Sequence, residues 1–208
     1  MKFTAPLAMA LALGASSVSA TPMLDFFIDG DTFTQPFSIT NNSDDGEFVT
    51  RFQLDLRTSA GVCFDPASDS TCNGSLGVSF TSNGGTDVTT GLTSATVTDE
   101  AGGVPAWDFL DITFSDFNAG EVFSWDLDVD FFKSGATIFG DDMIGATAFV
   151  DFSNGVRLIG ELQAVAGNSD ASAFTVIGQT VVPVPAPAGI AFLGLGLAAL
   201  GFARKKKA

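Results

Sequence analysis

Between residues 24 and 181, apolar and polar side chains alternate with a period of two in one segment after another. That is the spacing of strands with one buried face. From Glu47 to Arg57, one face carries Phe48, Thr50, Phe52, Leu54 and Leu56, and the other carries Val49, Arg51, Gln53, Asp55 and Arg57. This predicts a strand whose first face is core and whose second faces water. The same pattern predicts strands over Leu24–Ile28, Phe33–Thr40, Leu76–Phe80, Asp87–Val97, Asp108–Phe114, Val122–Phe131, Ile144–Phe152, Val156–Leu162 and Ala173–Val181. No amphipathic helix of about ten or more residues interrupts them. Ser153-Asn154-Gly155 lies between two alternating runs and predicts a hairpin with a type I′ turn, whose two central residues need positive φ.

Short strands separated by Gly, Asn and Asp turns predict an all-β sandwich or barrel. The chain has 21 Phe and no Tyr, so purely apolar rings fill the core. Trp125 alternates with Phe123 and Leu127 and is expected in that core. Trp107 precedes a strand and is either a sugar-stacking platform at a loop edge or a core and rim residue. The run Phe37-Ser38-Ile39-Thr40-Asn41-Asn42-Ser43 resembles the early strand of bacterial immunoglobulin-like modules. The fold expected for residues 21–180 is therefore an Ig-like antiparallel β-sandwich.

Charge changes the picture next. There are 24 acidic residues against 9 basic ones, for a net charge of -15 over 208 residues. Of the basic residues, Lys2 sits at one end and Arg204, Lys205, Lys206 and Lys207 at the other. Only Arg51, Arg57, Lys133 and Arg157 lie in the middle, where all the acids are. Such a domain repels phosphate backbones, which excludes a nucleic-acid partner. The chain has no histidine, so it can build no Ser-His-Asp or Cys-His nucleophile and no His-ligated haem or zinc. Two cysteines cannot make a four-cysteine metal site. Cys63 and Cys72 enclose a turn-rich loop, and in an exported chain a disulfide between them is expected, contributing about 2–3 kcal/mol. The alternative is a reactive free pair, which would lack a neighbouring Lys or His to stabilise a thiolate.

The two ends read as addresses. Met1-Lys2, an apolar run from Ala5 to Gly14, and small residues through Val18-Ser19-Ala20 form a secretory signal peptide, with cleavage expected after Ala20. The alternative is an uncleaved anchor, for which the run is short. At the other end, a proline-rich stretch over 182–188 leads into an apolar run over 188–203 and then the basic cluster 204–207. As a single helix that run covers ~24 Å at ~1.5 Å per residue, against a hydrocarbon core of ~30 Å. The cluster Arg204, Lys205, Lys206 and Lys207 acts as a positive-inside stop that leaves residues 21–180 across the membrane.

Val182-Pro183-Val184-Pro185-Ala186, the apolar run and the basic cluster together resemble the PEP-CTERM class of sorting tails, in its VPLPA variant. Val184 stands where that variant has Leu, and the Glu of the Pro-Glu-Pro form is absent. The resemblance covers 182–208. It implies recognition by an exosortase, a membrane-embedded transpeptidase-like enzyme, after signal peptidase has acted. It also implies delivery from a transient inner-membrane anchor to the cell surface or extracellular polysaccharide matrix. A plain anchor that nothing cleaves is the alternative for the same segment.

Of the acids, 20 are Asp, the carboxylate that compact calcium sites favour. Alternation projects Asp126, Asp128 and Asp130 from one face of the expected strand Val122–Phe131, about 6.7 Å apart. A Ca2+ ion could neutralise two of them with help from Asp141 and Asp142. As an EF-hand the segment fails, with Phe131 at the glycine position and Thr137 at the bidentate position. The loop Asn41–Glu47 fails likewise, with Phe52 in the last ligand place. The alternative is a solvated acidic surface. Abundant carboxylates make a glycosidase pair uninformative, and there is no Gly-x-Ser-x-Gly elbow. The function expected is a non-enzymatic surface or matrix protein. A calcium-dependent carbohydrate-binding or adhesive module, with exopolysaccharide as ligand, is the alternative.

Overall fold

Among the described residues, the alternating segments form twelve strands: β1 (Leu24–Asp29), β2 (Phe37–Asn41), β3 (Val49–Asp55), β4 (Val62–Phe64), β5 (Thr81–Ser82), β6 (Leu92–Thr98), β7 (Phe109–Phe117), β8 (Val122–Asp126), β9 (Val129–Phe131), β10 (Thr147–Phe152), β11 (Val156–Val165) and β12 (Asn168–Val181). The computed structural model describes residues 21–181 apart from 45, 60, 68–71, 73–75, 101–106, 133 and 135. The expected cleavage residue Ala20, the motif Val182 to Ala186, the apolar run 188–203, the cluster Arg204 to Lys207 and Lys133 lie outside the described residues. Among the described residues, no helix is long and apolar enough to cross a membrane.

Ten strands make one antiparallel sheet in the order β5-β8-β2-β1-β12-β11-β10-β3-β7-β6, and β4 pairs with β9 in a separate ribbon. The large sheet curls until its two halves face each other. Phe26 on β1 meets Phe52 on β3 edge to face at 5.0 Å, and Phe123 on β8 meets Phe114 on β7 in the same way at 4.9 Å. Trp125 stacks on Phe37 at 5.4 Å and on Phe123 at 5.5 Å, with its side chain fully buried. Quadrupolar rings prefer these offset and edge-on contacts, so a core rich in Phe closes without any hydroxyl to satisfy. The all-β antiparallel and sandwich-like character read from the sequence is present. Its two layers belong to one continuous sheet, turned over at β12.

Alternation holds best where both neighbours of a strand are regular. Leu24, Phe26 and Ile28 point inward while Asp25, Phe27 and Asp29 point out. On β3, Phe52, Leu54 and the following Leu56 are inward as expected, but Val49, expected on the water face, is fully buried. The registers of β3 with β7 and with β10 both slip beside it, and a bulge of this kind reverses the facing of a residue.

Several expected strands change their limits, and one is lost. Phe33–Thr40 yields β2 only from Phe37, because Asp31 folds the chain into a turn, accepting from Phe33 N through its carboxylate and from Gln35 N through its carbonyl. Leu76–Phe80 carries no strand. Thr86–Thr89 forms one helical turn before β6 begins at Leu92, and a 3-10 turn over Gly140–Met143 delays β10 to Thr147. The hairpin at Ser153-Asn154-Gly155 is also tighter in a different way. Gly155 alone has positive φ (+83°), its N–H closes onto the Phe152 carbonyl at 3.0 Å, and Asn154 Oδ1 accepts from Val156 N. The loop thus has three residues with one left-handed glycine, where a type I′ turn was expected.

Candidate metal centre

The expected strand Val122–Phe131 breaks in two, and the break creates the site. After Asp126 the chain leaves the large sheet, Asp128 N donates to the Val78 carbonyl at 3.1 Å, and β9 then pairs with β4. In that ribbon Cys63 is opposite Asp130 and Phe64 is opposite Val129, and Asp65 N donates to the Asp128 carbonyl at 2.9 Å. Directly opposed residues of an antiparallel pair project to the same face. Cys63, Asp65, Asp128 and Asp130 therefore share one face, while Val62, Phe64 and Val129 enter the core from the other.

The disulfide between Cys63 and Cys72 occupies one corner of this face, with both cysteines buried. The three carboxylates occupy the rest. One oxygen from each of Asp65, Asp128 and Asp130 lies within 4.8 Å of the other two, and the residues are 0%, 2% and 8% exposed. The loop over 77–79 closes the arrangement. A Cβ on Gly77 would stand 2.4 Å from the Asp65 carbonyl oxygen, so only glycine lets the two backbones approach, and Ser79 Oγ donates to the Pro66 carbonyl at 2.6 Å.

Three negative charges at such separations repel by roughly 3 kcal/mol or more per pair at an effective dielectric of about 20. Burial, and next to it the charge of Asp130, push the Asp128 carboxyl from its ordinary 3.8 up to about 7, with Asp65 and Asp31 adding to the rise against a hydrogen bond from the Val129 backbone. Asp130 Oδ2 is buried and accepts no hydrogen bond. This donor set is all hard oxygen, which suits Ca2+ or Mg2+ and does not suit a thiolate-seeking metal.

Of the residues expected to form a metal site, Asp128 and Asp130 come together, joined by Asp65, which the sequence did not single out. Asp126 stays on β8 and accepts from Asn83 Nδ2 at 2.8 Å. Asp141 and Asp142 sit in the 3-10 turn far along the chain, where Asp142 accepts from Phe139 N at 3.0 Å, and neither belongs to the cluster. Asp126 stands apart from Asp128 because β8 ends at Asp126 and β9 begins only at Val129. The loop Asn41–Glu47 is structural: Asn41 Nδ2 donates to the Phe117 and Glu47 carbonyls, and Ser43 Oγ accepts from Met23 N. Trp107 is half-buried and packs against the core with its indole N–H enclosed.

A second polar feature lies on the outer face of β3, β7 and β6. Across the sheet, Arg157 pairs with Asp151 at 2.6 Å, Asp151 is the cross-strand partner of Arg51, and Arg51 pairs with Asp111 through two hydrogen bonds. Arg57 pairs with Asp55 at 2.6 Å and lies over the Phe109 ring, 5.7 Å from its centre. Burial raises the Asp55 carboxyl, but the hydrogen bonds and charge of Arg57 outweigh it and hold that carboxyl below its ordinary value. A cavity of about 290 Å³ beside this ladder is lined by Gln53, Arg57, Thr96, Glu100, Phe109 and Asp111 among others. Every arginine in residues 21–181 is thus engaged here, and none reaches the Asp65, Asp128 and Asp130 cluster.

The chain matches no family model, no curated protein and no solved structure.

Proposed function

We propose that this chain is an exported, non-enzymatic protein of the cell surface or extracellular polysaccharide matrix, brought there by its signal peptide and released or transferred by an exosortase-type enzyme acting on its tail. The observation that carries the reading is the position of the tail. Among the described residues β12 is the last strand and it runs to Val181, and the proline-rich motif follows in sequence from Val182. A cut within Val182–Ala186 removes none of the described strands.

Two further observations support export. A disulfide belongs to an oxidising compartment. Thr21 N lies 3.0 Å from Asp44 Oδ2, so a cut after Ala20 would leave a charged amino group against a carboxylate. The immunoglobulin-like assignment is part of the proposal: two antiparallel layers about an aromatic core support it, while the continuity of the sheet through β12 departs from two separate sheets. Replacing Pro183 and Pro185 by Ser tests the reading, since processing should fail and the protein should accumulate in the membrane fraction. Unchanged release into the medium would refute it.

The 290 Å³ cavity favours carbohydrate binding as a second reading. It combines an aromatic ring with amide, carboxylate and hydroxyl groups, the mixture that grips a sugar ring. Loss of exopolysaccharide retention by Phe109→Ala, with the fold intact, is its expected signature.

A further inference from the structure

We propose that Asp65, Asp128 and Asp130 bind one Ca2+ ion, which ties the loop after β4 to β9 and locks the ribbon onto the sandwich. The site goes beyond the sorting reading and does not depend on it. Only the supply of the ion does, since a Ca2+-rich exterior can fill even a site of modest affinity.

Geometry carries the inference. Oxygens bound to one Ca2+ at about 2.3–2.6 Å lie no more than about 5.2 Å apart, and the three carboxylates already hold oxygens within 4.8 Å of one another. Asp130 lies on β9 with Asp128 just before it, and Asp65 directly follows the paired strand β4, so the cross-strand register itself assembles the set. Independently of this clustering, Asp130 is 8% exposed and its Oδ2 is enclosed without a hydrogen-bond donor. A cation would satisfy a buried carboxylate oxygen in a cluster with two other carboxylates. The described arginines do not supply one, because Arg51, Arg57 and Arg157 pair with Asp111, Asp55 and Asp151. Three carboxylates offer up to six oxygens, and waters or backbone carbonyls complete the six to eight that Ca2+ takes.

The role assigned is structural. The ion joins residues 65 and 128–130 where the disulfide joins 63 and 72, so the acidic face is held by a covalent link at one corner and an ionic one beside it. Mg2+, which requires a tighter octahedron and keeps its waters, is expected to bind this preformed set more weakly.

The test uses the exported chain purified from its host, stripped with chelator, and titrated calorimetrically with CaCl2 while its melting temperature is followed. One Ca2+ per chain and a rise in melting temperature are expected. Asp65→Asn and Asp130→Asn should each weaken binding by at least roughly 10–100-fold, the loss typical even of groups that only support a metal ligand. The sign without metal separates this role from ordinary hydrogen bonding. Asp130→Asn removes a repelling charge at an oxygen that accepts no hydrogen bond, so it should raise the melting temperature in chelator, and both substitutions should abolish the rise with Ca2+. Three results would overturn the proposal: no Ca2+ binding by the folded wild-type chain at millimolar concentration, binding that survives both substitutions, or substitutions that lower stability in chelator and leave the Ca2+ response intact.

Discussion

Asp128 shows how a single residue's surroundings reverse its usual effect on stability. Its carboxyl is raised to about 7 in the folded state, first by burial and then by Asp130, Asp65 and Asp31, while its ordinary value is 3.8. The folded chain therefore holds this proton more tightly than the unfolded chain does. Without metal, the contribution favours folding below about pH 4 and is lost as pH rises toward about 7. Urea midpoints measured in chelator should fall across that window, and Asp128→Asn should flatten the fall; a midpoint that climbs from pH 4 to 7 in the wild-type chain would contradict the assignment. In the core, Trp125 is enclosed by Phe37, Phe123 and Phe26. Trp125→Ala should cost about 3–5 kcal/mol in chemical denaturation, and a loss below 1 kcal/mol would mean that the two halves of the sheet do not close on it. Trp125 and the pair Asp128 and Asp130 were legible from alternation alone. Asp65 was not, because its partners are more than sixty positions away and only the pairing of β4 with β9 brings them together.

At the scale of elements, the hairpin between β10 and β11 depends on one glycine. Gly155 has φ +83°, which a side chain disfavours, so Gly155→Ala should cost about 1–2 kcal/mol, read as a lower melting temperature with an unchanged spectrum. The arginine ladder is more modest. Arg51 and Asp111 are 40% and 20% exposed at their side chains, and a double-mutant cycle between them should return about 1 kcal/mol or less. A larger coupling would make the outer face a stabilising network rather than a solvated one. Strand existence was readable because the period-two pattern reflects one buried face, as in β1 and β11. Limits were less so. Side chains of Asp31 and Asn154 capture nearby backbone N–H groups and turn the chain, and a bulge at Val49 reverses one position, effects that alternation does not encode.

At the scale of the whole molecule, a long β12 reaches across both halves of a sheet that would otherwise expose two open layers, pairing with β1 near residues 171–173 and with β11 along its length. The sandwich-like class was legible, while the curl was not, since nothing local specifies which strands are sixth and seventh neighbours. The disulfide supports the same assembly: Cys63→Ser with Cys72→Ser should lower stability by about 2–3 kcal/mol through the unfolded chain, measured as a shift in denaturant midpoint. The proposed export would place that bond, the acidic face and the sandwich in one setting, and it is the claim on which the functional account turns. Its most direct test is the intact mass of the native protein recovered from host membranes and from the culture medium. The account predicts a medium or surface species that begins at Thr21 and ends within 183–188. A chain that remains in the membrane and still carries Arg204 to Ala208 would contradict it.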